Sequence, residues 1–291
     1  KLLFEVPPSA IGMGRVRSRS RSSRKESPCT ESPSLSAAAA AGAGADETYT
    51  FKGLSATGCT PQDRRRFKWV IEQRRYERPR STPGGGPPFQ VHHGEKWLDI
   101  GAHKGYFALR ALAQGASCFC IEAEEHNFEA LRRNLAQHPT ARTMRALVVP
   151  PSMSGVLKPL KMSRKNTRHS LFEVPEGAAH SGDVQVVPTS LTLGLVLASH
   201  GPFDAVKMNI EGAENDVLAS VTDWGAVKKL VFEYSFDVWP DLAVYDSLIE
   251  ALTRQGWKVH PEAIPSKFRE DGWWDRTVTR ANDARLIWCF R

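Results

Sequence analysis

A turn with two glycines, and a carboxylate 21 residues beyond the first of them, are the residues whose types and spacing could hold a nucleotide-like cofactor. The turn reads Asp99-Ile100-Gly101-Ala102-His103-Lys104-Gly105 and joins a short apolar run to an amphipathic one. Gly101 lets the backbone turn sharply and approach a ligand without a Cβ clash, and Gly105 lets a helix begin close to a sheet. The N–H groups of that helix start favour a carboxylate or a phosphate. Glu122 closes the next apolar run, just before Ala123, where a carboxylate can accept hydrogen bonds from a ribose diol. Together they indicate an adenosine-containing cofactor, a dinucleotide or S-adenosylmethionine. Dinucleotide loops ordinarily need a middle glycine for approach to the pyrophosphate, and Ala102 and His103 stand there instead. S-adenosylmethionine needs only its amino-acid end held by the loop, with Asp99 available to the amine, and its ribose held by Glu122.

The elements that must position these residues follow from the apolar pattern. From residue 96 onward, short apolar runs alternate with amphipathic segments. Lys96 to Ile100, Ser117 to Glu122, Ala146 to Val149, and residues 203–209, 229–234 and 285–290 read as strands, with Trp257 to His260 a partner for the last. Tyr106 to Gln114, Glu125 to Gln137, and residues near 213–220 and 241–255 read as helices. The second has Phe128, Leu131 and Leu135 on one face; the last aligns Leu242, Tyr245, Ile249 and Leu252 and stops at Gly256. Strand and helix alternation at this spacing predicts an α/β fold, a doubly wound and mostly parallel sheet. In such a sheet, ligands bind outside the carboxyl ends of the strands.

The blocks LDIGAHKGYFAL, IEAEEHNFEALRRNL, VKMNIEGAENDVL and LVFEYS resemble, in that order, the signature blocks of the FkbM family of S-adenosylmethionine-dependent methyltransferases. The similarity runs over roughly residues 96–236, and the block around Glu211-Gly212-Ala213-Glu214 is its distinctive part. The resemblance implies a Rossmann-like class I methyltransferase fold, with seven strands in the order 3-2-1-4-5-7-6 and an antiparallel last strand. It also implies O-methylation of a hydroxyl or carboxyl group on a small-molecule or carbohydrate acceptor. Two positions depart from the family pattern. Asn209 stands where Lys-x-Asp-x-Glu-Gly has its Asp, and Thr192 stands where Thr-Leu-Asp has its carboxylate. An amide cannot take a proton, so beside Asn209 the candidate bases are Glu211, just past the fourth strand, and Glu233, at the end of the fifth. These departures also raise a second reading, a catalytically silent module that binds S-adenosylmethionine.

Of 291 residues, 41% are hydrophobic and 24% charged, and the formal net charge is +7. The excess sits early: residues 1–50 carry 7 basic and 5 acidic side chains, residues 61–80 carry 8 and 3, and the remaining 221 carry 24 of each. A basic nucleic-acid surface is therefore excluded for the main body, and an RNA methyltransferase, the alternative enzyme reading, would have to use the first 80 residues. Residues 1–60 read as a disordered low-complexity tail, since their Arg/Ser, Ser/Pro and Ala/Gly tracts lack apolar area. Residues 61–95 read as a basic helical segment, with Phe67, Val70 and Ile71 on one side, followed by a Gly/Pro linker; residues 96–291 are the methyltransferase domain. His103 and Lys104 could reach an anionic substrate, whereas Lys207 reads as a side chain that merely snorkels. No metal site is expected, because His92 and His93 lack carboxylate or thiolate neighbours and no CxxC pair occurs. Residues 261–284, with Trp273 and Trp274, have the length of a lid or substrate-contacting loop. Five irregularly placed cysteines and no 18-residue apolar run point to a reduced cytoplasmic setting without a membrane span. An organelle is the alternative if the Arg/Ser/Ala-rich tail is a targeting remnant, and Lys1 in place of Met suggests a fragment or an incomplete gene model. Oligomeric state has no signature in the sequence.

Overall fold

The run Trp97–Ile100 is buried residue by residue, as a strand covered on both faces must be. It belongs to β3 (Lys96–Ile100), an interior strand of a seven-stranded sheet in the computed structural model. The structure describes residues 47–77, 88–155, 158–163, 180–187, 189–234, 236, 239, 241–264 and 284–291. The described part opens with a hairpin, β1 (Tyr49–Phe51) and β2 (Leu54–Ala56), and continues into α1 (Pro61–Ile71). After β3 come α2 (Tyr106–Ala113), β4 (Ser117–Glu122), α3 (Glu125–Leu135) and β5 (Ala141–Arg145). Then follow β6 (Leu147–Val148), β7 (Lys158–Ser163), β8 (His180–Val187), β9 (Ser190–Leu191), α4 (Leu193–His200) and β10 (Ala205–Met208). The chain ends through α5 (Glu214–Ala219), β11 (Lys229–Tyr234), α6 (Leu242–Arg254), β12 (Lys258–Ile264) and β13 (Ala284–Phe290).

The sheet order is β12-β13-β11-β10-β3-β4-β5, parallel except where β13 runs against both β11 and β12. In sheet-strand numbering this is the expected 3-2-1-4-5-7-6 order of the class I methyltransferase fold. Successive strand residues serve opposite layers. Leu98, Ile100, Phe119, Ile121, Leu230 and Phe232 join the core under α4, α5 and α6. Trp97, Cys118, Cys120, Val231 and Trp288 join the core under α1, α2 and α3.

Three expectations shift. The third sheet strand is β5, with sequence ARTMR, rather than Ala146–Val149. An edge strand can remain polar, so apolarity points past it; Leu147 and Val149 instead pack with Leu160 and Val187 in a satellite cluster, and β6 pairs with β9. On α6 the buried stripe is Tyr245, Leu248 and Leu252, while Leu242 at the first helical position is 46% exposed. The tail expected to run to residue 60 lies outside the described residues only as far as residue 46. From Tyr49 the chain forms the hairpin, with Ala56 and Cys59 buried against the α1–α2 layer.

Alpha 1 begins at a full capping box. The Thr60 hydroxyl accepts from the Asp63 amide and the Asp63 carboxylate accepts from the Thr60 amide. The helix buries Phe67, Val70 and Ile71 as its spacing requires. The stripe on α6 gives a direct test by urea or thermal unfolding: Leu248→Ala should destabilise the protein by about 2–5 kcal/mol, whereas Leu242→Ala should change stability by less than about 0.5 kcal/mol. Equal losses would refute the assigned face.

Candidate functional site

The carboxyl ends of β3, β4, β10 and β11 bring the sequence-predicted residues together. Gly101 leaves β3 at φ +69°, and a Cβ built there would lie 1.8 Å from the Asn209 carbonyl oxygen. The glycine is therefore demanded by a neighbouring backbone, which also donates the Asn209 amide to Ile100 O at 3.0 Å. Gly105, at φ +85°, caps α2, and there a Cβ would meet Leu131 Cδ1 at 2.8 Å.

Between them the turn satisfies its own amides. Gly101 and Ala102 donate to Ile121 O, Gly105 donates to Ala102 O, and His103, at φ +52°, donates to Glu122 Oε2 at 2.7 Å. These four amides hold the loop's shape, so an anion at this turn would have to use other N–H groups, that of Lys104 or those of the first turn of α2. Glu122 also accepts from the Glu124 amide through Oε1 at 3.0 Å. Each carboxylate oxygen keeps a lone pair beyond those two bonds, which is the capacity a ribose diol requires. Burial pushes the Glu122 carboxyl up to about 7, against the pull of those backbone amides.

Asp99 and Lys207 are where sequence reasoning falls short. Both are buried, and Lys207 Nζ sits 2.9 Å from Asp99 Oδ1 and donates to Gly101 O at 2.9 Å. The Tyr76 ring lies 5.1 Å from the same ammonium. Burial alone would lower the Lys207 ammonium, but Asp99 and Tyr76 carry it up to about 12. Asp99 is thus turned to Lys207, and Lys207 fixes the carbonyl of the first loop glycine. Lys104 likewise does not face solvent. It is fully buried and donates to Gly58 O at 2.6 Å and to Asp63 Oδ2 at 2.8 Å.

Past β10, Asn209 Nδ2 faces Glu233 Oε2 at 3.4 Å, and Glu233 Oε1 pairs with Arg75 Nη2 at 2.8 Å. Burial would lower the Arg75 guanidinium, yet Glu233 and Tyr76 hold it above its ordinary range. The Asn209 Oδ1 atom is buried without a hydrogen-bond partner. Glu211 adopts φ +52° in a turn that Glu214 braces by accepting the Ile210 and Gly212 amides at 2.6 and 2.8 Å. Trp239 donates to Gly212 O at 2.6 Å on the same turn. Burial pushes the Glu214 carboxyl up to about 7, opposed by the amides it accepts. Thr192 caps α4 by accepting the Leu195 amide, a task an Asp would also perform.

Arg75 was missed because 158 residues separate it from Glu233, and no local pattern marks such a pair. Ala123 follows Glu122 at the mouth of the β4–α3 connection and is partly buried beside Leu147 and Val149. On the basic segment, Arg64 pairs with Glu47 and packs on Tyr49, and Lys52 pairs with Glu72. Trp273, Trp274 and most of the long connection before β13 lie outside the described residues. Among the described residues, no group of three or more His, Cys, Asp or Glu could hold a metal ion, and no helix is long and apolar enough to cross a membrane.

The sheet order and the glycine turn at the end of β3 define a Rossmann-like methyltransferase. The methyltransferase FkbM domain model matches residues 99–256, more than half of the chain, and the protein belongs to that family. S-adenosylmethionine is its cofactor and methyl donor. No curated protein matches the chain. Among solved structures, the precorrin-6Y C5,15-methyltransferase of Geobacter metallireducens is 13% identical, with 69% of this chain and 82% of that one covered and a TM-score of 0.37. The Aeropyrum pernix fibrillarin with natively bound S-adenosyl-L-methionine is 10% identical, covering 68% and 67%, at a TM-score of 0.37. The Methanococcus jannaschii fibrillarin, a pre-rRNA processing protein, is 10% identical, covering 84% and 82%, at 0.44.

Glu122 and Glu214 set a pH dependence of stability. Each has a folded value near 7, raised from 4.5, so its stabilising contribution is complete below about 4.5 and is lost as pH rises through about 7. Each shift corresponds to roughly 3 kcal/mol. Urea unfolding of the cofactor-free protein should show stability falling between pH 5 and 8, and Glu214→Gln should flatten part of that slope. An unchanged slope would show that Glu214 does not titrate there.

Proposed function

We propose that the protein O-methylates a hydroxyl group on a small or carbohydrate-type acceptor, with the cofactor held by the Gly101–Gly105 turn and Glu122. S-adenosylmethionine supplies an electrophilic methyl group on a sulfonium. The protein's share is to hold the acceptor oxygen in line with that methyl group, and orientation of this kind contributes up to about 7–11 kcal/mol to lowering a barrier. Glu122 takes the ribose hydroxyls, and the first turn of α2 faces the amino-acid carboxylate. Lys207 keeps Gly101 O fixed while these contacts form.

The observation that carries the reading is the Asn209–Glu233 couple, whose backbone abuts Gly101. Glu233 can only accept, so the Asn209 amide turns its nitrogen to Glu233. A neutral polyol hydroxyl can approach the Glu233 carboxylate, whereas an ionised carboxylate would be repelled by it. As O–CH3 forms and the S–CH3 bond breaks, the hydroxyl proton passes to a carboxylate, for which Glu211 and Glu233 are the candidates. Both stand at strand ends on the acceptor side, Glu211 on the turn after β10 and Glu233 near the end of β11, where Arg75 pairs with it. A nucleic-acid acceptor reached through residues 1–80 is the alternative; much of that stretch lies outside the described residues.

Two measurements test this. Titration calorimetry with S-adenosylhomocysteine should show Glu122→Ala weakening binding by about 1–3 kcal/mol through lost ribose hydrogen bonds. Transfer of labelled methyl from S-adenosylmethionine to a matched panel of neutral pyranoses, the corresponding uronic acids and RNA should mark the pyranose hydroxyls and should be greatly reduced by Glu211→Gln. Label confined to uronic-acid carboxyls or to RNA would overturn the hydroxyl reading, and cofactor binding without transfer would favour a silent module.

A further inference from the structure

The cofactor turn is gripped from outside by a part of the chain that precedes the family-matched region. Lys104, in the middle of the turn, has a side chain 0% exposed, and its ammonium crosses to Asp63 Oδ2 at 2.8 Å and Gly58 O at 2.6 Å. Asp63 is itself buried and is oriented by the α1 capping box, where it accepts from the Thr60 amide and hydroxyl. Asp63 Oδ1 lies 3.9 Å from His103 Nε2. Burial works to raise the Asp63 carboxyl, but Lys104, His103 and Thr60 outweigh it and hold it below the usual carboxylate range. A second strap runs parallel: Asn134 Nδ2 donates to Lys104 O at 2.8 Å, and Asn134 Oδ1 accepts the Thr57 amide at 2.7 Å and its hydroxyl at 2.9 Å.

These contacts end on Lys104, next to His103. The left-handed φ of +52° at His103 is a strained conformation for a side-chain-bearing residue, and it persists only where the surroundings enforce it. In that conformation its amide points at Glu122 Oε2 at 2.7 Å. One acid, Asp63, thus binds the Lys104 ammonium and lies beside the His103 ring, and the backbone of this pair orients the carboxylate assigned to the ribose.

We propose that Asp63 is a positioning residue for the cofactor site, and that the segment from Thr57 to Asp63 is a working part of that site. It acts through Lys104 and His103 on Glu122 without touching the cofactor. The inference rests on the assignment of this turn and Glu122 to S-adenosylmethionine.

The test is S-adenosylhomocysteine affinity by titration calorimetry from pH 6 to 8.5 on the full chain, for Asp63→Asn and Lys104→Met, with Leu248→Ala as a destabilised variant remote from the turn. Glu122 is faced by the Glu124 carboxylate, the Lys207 ammonium, and the His103 and Glu124 amides, and ribose hydroxyls donate to its ionised form. Wild-type affinity should therefore rise with pH around 7. Both turn variants should bind at least about 10-fold more weakly, a loss of ~1.4 kcal/mol. Their pH midpoint should move upward, because Glu122 loses the His103 amide that favours its charge. Leu248→Ala should lower thermal stability and leave both affinity and midpoint unchanged. Wild-type affinity in either folded turn variant, or weaker binding with an unmoved midpoint, would overturn the proposal. If Glu122→Ala also bound normally, the site assignment itself would fall. If Glu122→Ala bound weakly while Asp63→Asn did not, only the role of Asp63 would fall.

Discussion

Two backbones meet where β3 and β10 end, and much of the site depends on how closely they meet. The 1.8 Å that a Cβ at residue 101 would leave to Asn209 O is less than any atom pair tolerates. Only glycine permits this packing, and the same contact fixes where the chain turns towards α2. Lys207 adds a polar lock by tying Gly101 O to Asp99 beneath it. A buried ammonium is costly without partners, and here it has a carboxylate, a carbonyl and an aromatic face. The cofactor turn is therefore held from below by a charge network, before any ligand is considered.

The same turn is also held from the side. Lys104, Asp63 and the α1 capping box join the hairpin and helix of residues 49–71 to the loop, and Arg75 carries that segment on to Glu233 at the far edge of the site. The family-matched residues begin at Asp99, yet these buried charges find their partners before it. Removing one member of such a pair leaves an uncompensated buried charge, and aromatic contacts pack the same segment against α2. Phe67 stacks edge-on with Tyr106, and Tyr76 with Phe107.

Asn209 changes the character of the acceptor side. A carboxylate at 3.4 Å from Glu233 would set two like charges together in a half-buried place, and the amide replaces that repulsion with a long hydrogen bond. The cost is an amide oxygen with no internal partner. Thr192, the other departure from the family pattern, proves to be a helix cap, so its side chain has a structural task that needs no charge. The two missing carboxylates thus have different consequences, one at the site and one away from it.

The sequence by itself determined the sheet, because apolar runs such as KWLDI and SCFCIE can be satisfied only by burial on both faces, and their alternation with amphipathic helices leaves few topologies. It also determined the turn, since a glycine pair and a carboxylate at that spacing are local features of the chain. It misjudged β5, whose edge position needs no apolar signal, and the stripe of α6, where the helix start sets which residue faces inward. Only the tertiary structure decided the roles of Lys207, Lys104, Arg75 and Asp63. The cations look like solvated surface residues in any window of sequence, while their partners lie 41 to 158 residues away for the pairs with Asp63 and Glu233. Periodicity encodes which side chains leave water, whereas the partner that compensates a buried charge is set by where the folded chain returns.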